Sequence, residues 1–529
     1  VDALRSDYDT TPYTSNSFPQ SAPGQLAAIA HLFGLSAPEV GRSRVLEIGC
    51  AAGGNLIPFA ARHPAATAVG IDLSQVQIDD GRDTARALGL RNLELIAGDI
   101  ARMDLEALGR FDFVIAHGVY SWVPPEVQDA LLAAIRTVLA PDGVAYLSYN
   151  TYPGWKSKET LRDAMLLASG ASATPEDKVR EARAMVDFLE AAAPADSVLA
   201  KVVAVSRDHA LGFGDSYLFH DELATFNAPC YFYEMAGRAS GHGLAYLAEA
   251  HLETMFPANF GPTVAQYLEA KCGGVQILIE QYLDFALNRM FRESLLVHAE
   301  RAAQIVYRPD RNRYRRLHVA ASVPPAGEPT VVDHSRQEYV VADATLFTND
   351  PGVKTALDAL TARWPWTLSR RELFDDVSAR LTAAGLRPGD QLADHLDDLM
   401  GVLIMQGAAQ FRLDPVLPSP MPETPRLAAP VRRMAELTAA AGAGAKTFND
   451  WHETVELTPL DGLLLPLLDG THDRDGLVEA LLTRLQEDPE HLDPDGAPAL
   501  DEASMRSALA AHVDSAPERL TEMKLARYP

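Results

Sequence analysis

Between Arg44 and Tyr149 the chain alternates short, nearly continuous apolar runs with stretches of helical period. The runs are RVLEIG (44–49), AVGID (68–72), LELIAG (93–98), FDFVIAH (111–117) and GVAYLSY (143–149), with helical spacing over 54–63, 74–89 and 124–140. Strands without polar alternation must be buried on both faces, which predicts a parallel sheet with helices on either side. Pro141-Asp142-Gly143 reads as the stop before the fifth strand.

After Tyr149 the pattern changes. TYPGW (151–155) predicts an aromatic turn, and 156–240 reads mostly as helix. Thr174-Pro175-Glu176-Asp177 has the form of a helix start: a hydroxyl cap, proline in the first turn, and acids facing the positive helix end. Val179, Ala182, Met185, Val186 and Leu189 follow at helical spacing. GLAYLAEA (243–250) predicts a sixth strand, 264–290 a long helical stretch, and RESLLVHAE (292–300) a seventh strand. The sheet therefore closes late, with 156–240 as a helical insertion.

Farther on, Pro324-Pro325-Ala326-Gly327 marks a boundary, and the proline-rich 415–430 reads as a linker. The segments flanking it echo each other. Leu360, Thr367, Arg370, Leu373, Val377, Arg380 and Leu381 recur 104 positions later as Leu464, Thr471, Arg474, Leu477, Leu481, Arg484 and Leu485. This predicts two small helix-turn-helix or winged-helix modules; the plainer alternative is leucine spacing that any two amphipathic helices share.

Composition narrows the picture. At 529 residues several domains are expected, and 47% hydrophobic with 22% charged residues excludes wholesale disorder. The net charge of −26 repels a phosphate backbone, and 431–529 alone carries 19 acids against 9 bases, so no nucleic-acid partner is expected. Cys50, Cys230 and Cys272 are too far apart for a CxxC metal site and too few for a disulfide framework, which points to a reducing compartment and to no metal. No apolar run approaches membrane-spanning length and the first residues lack a signal-peptide pattern, so a soluble, cytoplasmic protein without membrane insertion is expected.

The chemistry begins at the first strand, Val45-Leu46-Glu47-Ile48-Gly49-Cys50-Ala51-Ala52-Gly53-Gly54-Asn55. A strand entering a small-residue turn and then a helix lets a ligand approach the backbone. A dinucleotide would need G-x-G-x-x-G; here the spacing is Gly49-x-Ala51-x-x-Gly54, with Glu47 two residues before the first glycine. An acid there suits an ammonium-bearing ligand such as S-adenosylmethionine (AdoMet). Asp72 ends the second strand, where a carboxylate can accept both ribose hydroxyls, and Leu73 can pack on adenine. Gly98-Asp99-Ile100 ends the third, offering a carboxylate to the adenine amino group beside an apolar residue. His117-Gly118-Val119-Tyr120-Ser121-Trp122 ends the fourth, where a reactive sulfonium would lie. Any one strand-end acid is commonplace; the set is not.

Residues 44–149 thus resemble a class I AdoMet-dependent methyltransferase. Further stretches are similar to bacterial protein-lysine methyltransferases that modify outer-membrane proteins and carry a methyltransferase regulatory region. These are YDTTPYTSNSFPQ (8–20), HGVYSWVP (117–124), SYNTYPGW (148–155), FHDELATFNAPCYFYEM (219–235), EQYLDFALNRMFRESLLVH (280–298) and WHETVELTPLDGLLLPLLDGT (451–471). The resemblance implies a Rossmann-like α/β core with a seven-stranded sheet, a helical dimerisation insertion, mainly α winged-helix-like C-terminal domains, and a homodimer. The expected divisions are 1–155, the cofactor-binding core with an N-terminal lid; 156–240, the insertion; 241–322, the rest of the core with the regulatory region; 323–414, a middle module; 415–430, the linker; and 431–529, the C-terminal domain. It also implies that Tyr8, Tyr13 and Phe18 fold over the cofactor. Motif and resemblance together assign Tyr13, Phe18, Glu47, Gly49, Cys50, Ala51, Gly53, Asn55, Asp72, Leu73, Gln77, Gly98, Asp99, Ile100, His117 and Gly118 to AdoMet, whose product is S-adenosylhomocysteine (AdoHcy). Ala51 replaces the middle glycine of the wider class and narrows the approach.

His117, Tyr120 and Trp155 are the candidates nearest the chemistry. Methyl transfer is an in-line displacement, so a lysine acceptor must first lose a proton, at a cost of about 4–5 kcal/mol at pH 7. Burial beside a cation lowers that cost and makes a dedicated base optional. His117 is read as a cofactor hydrogen-bond partner in preference to a base. Of Tyr13, Tyr120, Trp122, Tyr149, Tyr152 and Trp155, two or three are expected to reach the site and face a cation. The Asn/Asp-Pro-Pro-Tyr/Phe signature of nucleobase methylation is missing. A lysine side chain in a protein is therefore the leading acceptor, with a small-molecule N- or O-methyltransferase and a non-catalytic AdoMet-binding scaffold as alternatives.

Overall fold

Apolar runs that cannot face water become the centre of one mixed sheet. The computed structural model describes residues 15–172, 174–212, 215, 218–341, 344–418, 424–442, 444–487 and 501–526. Its first five strands, β1 (Arg44–Ile48), β2 (Thr67–Asp72), β3 (Leu93–Ala97), β4 (Phe111–Ala116) and β5 (Leu139–Tyr152), lie parallel in the order β3-β2-β1-β4-β5. Leu46 faces Val69 on one side and Val114 on the other, and all three are buried. Helices Leu56–Arg62, Gln75–Leu88 and Pro125–Val138 are the crossovers expected from the sequence. The strand order reverses between β2 and β4 on either side of β1, and a crevice opens there at the carboxyl ends.

The late closure also matches. After the short β6 (Cys230–Tyr231), which pairs with the end of β5, come β7 (Leu244–Glu249) and β8 (Phe291–His298). β8 inserts antiparallel between β5 and β7, so seven strands form the main sheet and β6 lies off its path. Three readings change. Pro141-Asp142-Gly143 does not stop a helix ahead of a strand; it lies within β5 as an irregularity, the pairing with β4 jumping from Phe111–Leu139 to Phe113–Val144. The stretch 264–290 is two helices, Pro262–Cys272 and Gln276–Leu287, broken where Gly273 and Gly274 take φ of +57° and +79°. The insertion ends before 240, because Phe232, Met235 and Ala239 of helix Phe232–Gly241 pack into the core of the sheet.

The insertion proper is Gly154–Ser169, Pro175–Ala192 and Val198–Gly212, with a small core of its own that includes Leu161, Met165, Val186 and Leu218. Thr174 caps the second helix as expected, its hydroxyl accepting from Asp177 N–H at 3.1 Å, an arrangement worth about 1 kcal/mol. The middle module has three helices (Pro351–Arg363, Arg370–Ala383, Leu392–Met405) and a small antiparallel sheet that includes His318–Ala320. It therefore starts ahead of Pro324, and it shares one continuous apolar core with the main sheet. The C-terminal domain keeps a separate core in which Leu464, Leu477, Leu481 and Leu485 are buried, as their counterparts Leu360, Leu373, Val377 and Leu381 are in the middle module. The 415–430 stretch is not a free linker at its described ends. Val416 is buried against Trp366 and Trp451, Leu427 N–H bonds Leu468 C=O at 2.8 Å, and Ala429 begins a helix.

Candidate active site

The crevice beyond β1 and β4 is a cavity of about 540 Å³. One end is built from the strand termini. β1 runs into a turn in which Gly49 takes φ +77°, and a Cβ there would meet Val119 Cγ2 at 2.4 Å. Ala51 is held at φ +49°, an uncommon backbone for a residue with a side chain, and its N–H is fixed by Asp72 Oδ2 at 2.8 Å. Gly53 (φ +76°) closes the turn by donating to Cys50 C=O at 2.8 Å and does not line the cavity, so its part is to shape the turn rather than to touch a ligand.

Glu47 lies at the floor of this end, 2% exposed. Its Oε1 accepts from Asn55 Nδ2 at 2.9 Å, while Oε2 has no hydrogen-bond partner. Burial, opposed by the Asn55 hydrogen bond and reinforced by the Asp72 charge, pushes its carboxyl up to about 8. A buried carboxyl with one unmatched oxygen fits an ammonium group, the feature that separates the methionine end of AdoMet from a dinucleotide pyrophosphate. Gln77 also faces the cavity with an unmatched Oε1. Asp72, which lines the cavity, accepts from the N–H groups of Ala51 and Ser74 at 2.8 and 2.9 Å, and these bonds orient its carboxylate. Leu73, Gly98, Asp99 and Ile100 line the cavity beyond the ends of β2 and β3; Asp99 Oδ1 accepts from Ala101 N–H at 3.0 Å.

At the fourth strand end, Gly118 N–H is held by Ser148 Oγ at 2.8 Å, and His117 lines the cavity with Phe18 stacked on its ring at 3.8 Å. Burial lowers His117 to about 4, against the opposing charge of Glu293, so its imidazole is neutral at pH 7. Val119 and Trp122 face the cavity, whereas Tyr120 turns inward: its ring is fully buried, edge-on to Tyr149 at 5.9 Å, outside the lining. The turn at 120–122 sends alternate side chains to opposite sides, so Tyr120 is a core residue and not a catalytic candidate. Tyr149 and Tyr152 also lie off the cavity, while Trp122 and Trp155 form a perpendicular aromatic wall at 6.3 Å. Tyr8 and Tyr13 lie outside the described residues.

The opposite end comes from remote parts of the chain that sequence reasoning missed: Asn150, Lys158, His220, Asp221, Phe226, Met290 and Phe291. Lys158 is buried, its ammonium 4.5 Å from the Trp155 ring centre and ion-paired with fully buried Glu222. A signal was present. Trp155, Lys158, Leu161 and Met165 make one buried stripe of helix Gly154–Ser169, and a lysine on such a stripe demands a partner. The indole N–H of Trp155 has no hydrogen-bond partner.

The C-terminal domain reaches the cofactor end. Asn55 Oδ1 accepts from Phe18 N–H at 2.9 Å and from His452 Nε2 at 2.8 Å, while its Nδ2 donates to Glu47 and Ser21. Burial, with the nearby charges of Arg412 and Arg62, pushes His452 down to about 3, which keeps it neutral. Among the described residues no group of His, Cys, Asp and Glu is placed to hold a metal ion.

Comparisons with known proteins fit this geometry. Residues 45–143 match a methyltransferase domain, 214–298 a predicted methyltransferase regulatory domain, and 428–525 the PKMT C-terminal winged helix domain. An uncharacterized protein of Rickettsia prowazekii is 32% identical over 487 residues, covering 90% of this chain and 86% of its own. A second one from the same organism is 35% identical over 233 residues, 44% of this chain and 93% of its own. The solved structure of PKMT2 from Rickettsia typhi in complex with AdoHcy superposes with a TM-score of 0.83 at 26% identity, covering 97% of this chain and 99% of that one. The chain belongs to the class I AdoMet-dependent methyltransferases, in the multidomain family that joins a methyltransferase domain to a methyltransferase regulatory domain and a PKMT-type winged helix.

Proposed function

We propose that the methyl acceptor is a lysine side-chain amine presented by a protein. The observation that carries this reading is the second end of the cavity, which extends past the strand termini along the Trp122–Trp155 aromatic wall and is lined there by Asn150, Lys158 and Phe226 as well. Aromatic faces along an apolar stretch of lining suit a butyl stem with a cationic head, and the ammonium that the wall itself carries there, on Lys158, is paired with Glu222. The PKMT2 likeness and the net charge of −26, which draws basic acceptors, support the same class.

AdoMet supplies an electrophilic methyl group on a cationic sulfonium. Glu47, fixed by Asn55, pairs with the amino-acid ammonium; Asp72 holds the ribose; Leu73, Asp99 and Ile100 receive the adenine. Trp122 and Trp155 align the acceptor nitrogen for in-line attack and exclude water. Incubation with AdoMet and lysine-rich proteins, followed by peptide mass spectrometry, is expected to show +14 Da steps on lysines. Labelling of small molecules with none on lysine would overturn the proposal.

A homodimer through the helical insertion belongs to the same reading. Leu167, Phe188, Val198 and Val205, all on the insertion, are 61–81% exposed and apolar. Light scattering on Phe188→Glu with Leu167→Glu is expected to show monomers where the parent chain shows dimers.

A further inference from the structure

From His117 in the cavity wall a line of polar groups runs back across the sheet. His117 follows β4, Tyr146 lies on the neighbouring β5, and Glu293 lies on β8, whose residues pair with β5. His117 Nδ1 is 2.9 Å from the Tyr146 hydroxyl, which is 2.8 Å from Glu293 Oε1. Gln20 Nε2 donates to the same oxygen at 2.8 Å, and His251 Nε2 lies 3.0 Å from Oε2. Tyr146 is fully buried, while the His251 side chain is 52% exposed and also faces Glu253 at 3.4 Å. Glu249, which bears on Tyr146 from the far side, is tied to Arg292 and Ser294.

The direction of these hydrogen bonds follows from charge. Burial raises Glu293, but hydrogen bonds and charge from His251, with hydrogen bonds from Gln20 and Tyr146, outweigh it and hold the carboxyl below its ordinary value. Hydrogen bonds to Glu253 and Glu293 raise His251 to about 10 against burial. Glu293 is therefore a carboxylate with no proton to give, so the single hydroxyl proton of Tyr146 points to it. The phenol oxygen is then an acceptor for His117, which places the ring hydrogen on Nδ1 and the lone pair on Nε2. Phe18 stacked at 3.8 Å and Phe291 edge-on at 6.2 Å fix the ring plane.

We infer that Tyr146, Glu293 and His251 are positioning residues that hold His117 in its Nδ1–H form, so that Nε2 receives the proton of the acceptor amine. This rests on the amine reading given above. The acceptor ammonium N–H bond breaks, its electron pair stays on nitrogen for attack, and the proton bonds to Nε2. Burial disfavours the resulting imidazolium and the Glu293 charge only partly opposes that, so the proton is held transiently and passes to water after the product leaves. The arrangement follows the logic of an acid that orients a histidine by its second nitrogen, here with a phenol interposed.

The full-length chain, a lysine peptide and two variants test this. Tyr146→Phe keeps the ring and removes the hydroxyl. Its AdoMet dissociation constant should stay within about twofold of the parent while kcat falls at least about 10-fold, the low end for general-base assistance. In a His117→Gln background the same change should add less than about twofold, because its effect runs through His117. A parent-like kcat in Tyr146→Phe, or losses that simply multiply, would overturn the inference. A second readout needs no acceptor. In ¹⁵N-histidine spectra, the His117 signals (identified by their loss in His117→Gln) should show the Nδ1–H tautomer in the parent and lose it in Tyr146→Phe. An Nε2–H tautomer in the parent would overturn the inference even if lysine proved to be the wrong acceptor, and failure of lysine labelling with the Nδ1–H form intact would count against the acceptor alone.

Discussion

The two ends of one cavity are made in different ways. The cofactor end draws on residues 47–118, most of them at or just beyond the end of a parallel strand and all within the span that matches a methyltransferase domain. The other end draws on His220, Asp221, Phe226, Met290 and Phe291 from the span that matches a regulatory domain, together with Trp155 and Lys158 from the first insertion helix. The first is a product of local strand-to-turn geometry; the second forms only when distant segments meet. In this chain the matched regulatory region supplies two strands of the main sheet and part of the cavity lining, with Phe291 belonging to both.

Substitutions can break or sharpen that contrast. The largest effect is expected from Lys158→Met, which leaves Glu222 buried without its ion-pair partner, at a cost of about 3–5 kcal/mol in urea unfolding. Lys158→Met with Glu222→Met should recover most of it. A single variant as stable as the parent would mean that this end is not built on the ion pair. Asp72→Ala comes next. It removes a ribose acceptor and the clamp on Ala51 and Ser74, so AdoMet binding in calorimetry should weaken by about 3 kcal/mol with little change in global stability.

Acidity gives a third, smaller handle. Glu47 sits near 8 and must be ionised to pair with an ammonium, so binding should release a proton below that pH. Affinity should fall about tenfold for each unit below pH 8 and decline again above it, where the ligand's own α-ammonium loses its proton, and Glu47→Gln should abolish the acid-side slope. Proton release measured by calorimetry in two buffers checks the sign. The smallest effect is expected from His452→Ala. Removing one hydrogen bond to Asn55 should cost about 1 kcal/mol of AdoMet affinity, which tests whether the C-terminal domain supports the cofactor end.

Most of the cofactor end was legible in the chain, because Gly49, Asp72, Gly98-Asp99 and His117-Gly118 each follow an apolar run whose type fixes where it ends. Two assignments in that stretch failed for local reasons. Gly53 shapes the turn without reaching the cavity, and the short helical turn after Gly118 carries Tyr120 into the core while Trp122 faces outward. Domain edges were less legible. The insertion stops short of 240 because Phe232 and Met235 prefer the larger core, and the ends of the proline-rich stretch are held by Val416 and Leu427.

By itself the amino-acid sequence determined the order of strands and helices, the small-residue turn, and the acids at the strand ends. Periodicity and turn chemistry act over a few residues, and a parallel strand delivers its last side chain to a predictable place. Only the tertiary structure decided that Lys158 faces Glu222, that His117 is backed by Tyr146 and Glu293, and that His452 supports Asn55 across 397 positions of chain. Such pairings depend on which distant surfaces exclude water together, and that is a property of the packed molecule, absent from any single stretch of it.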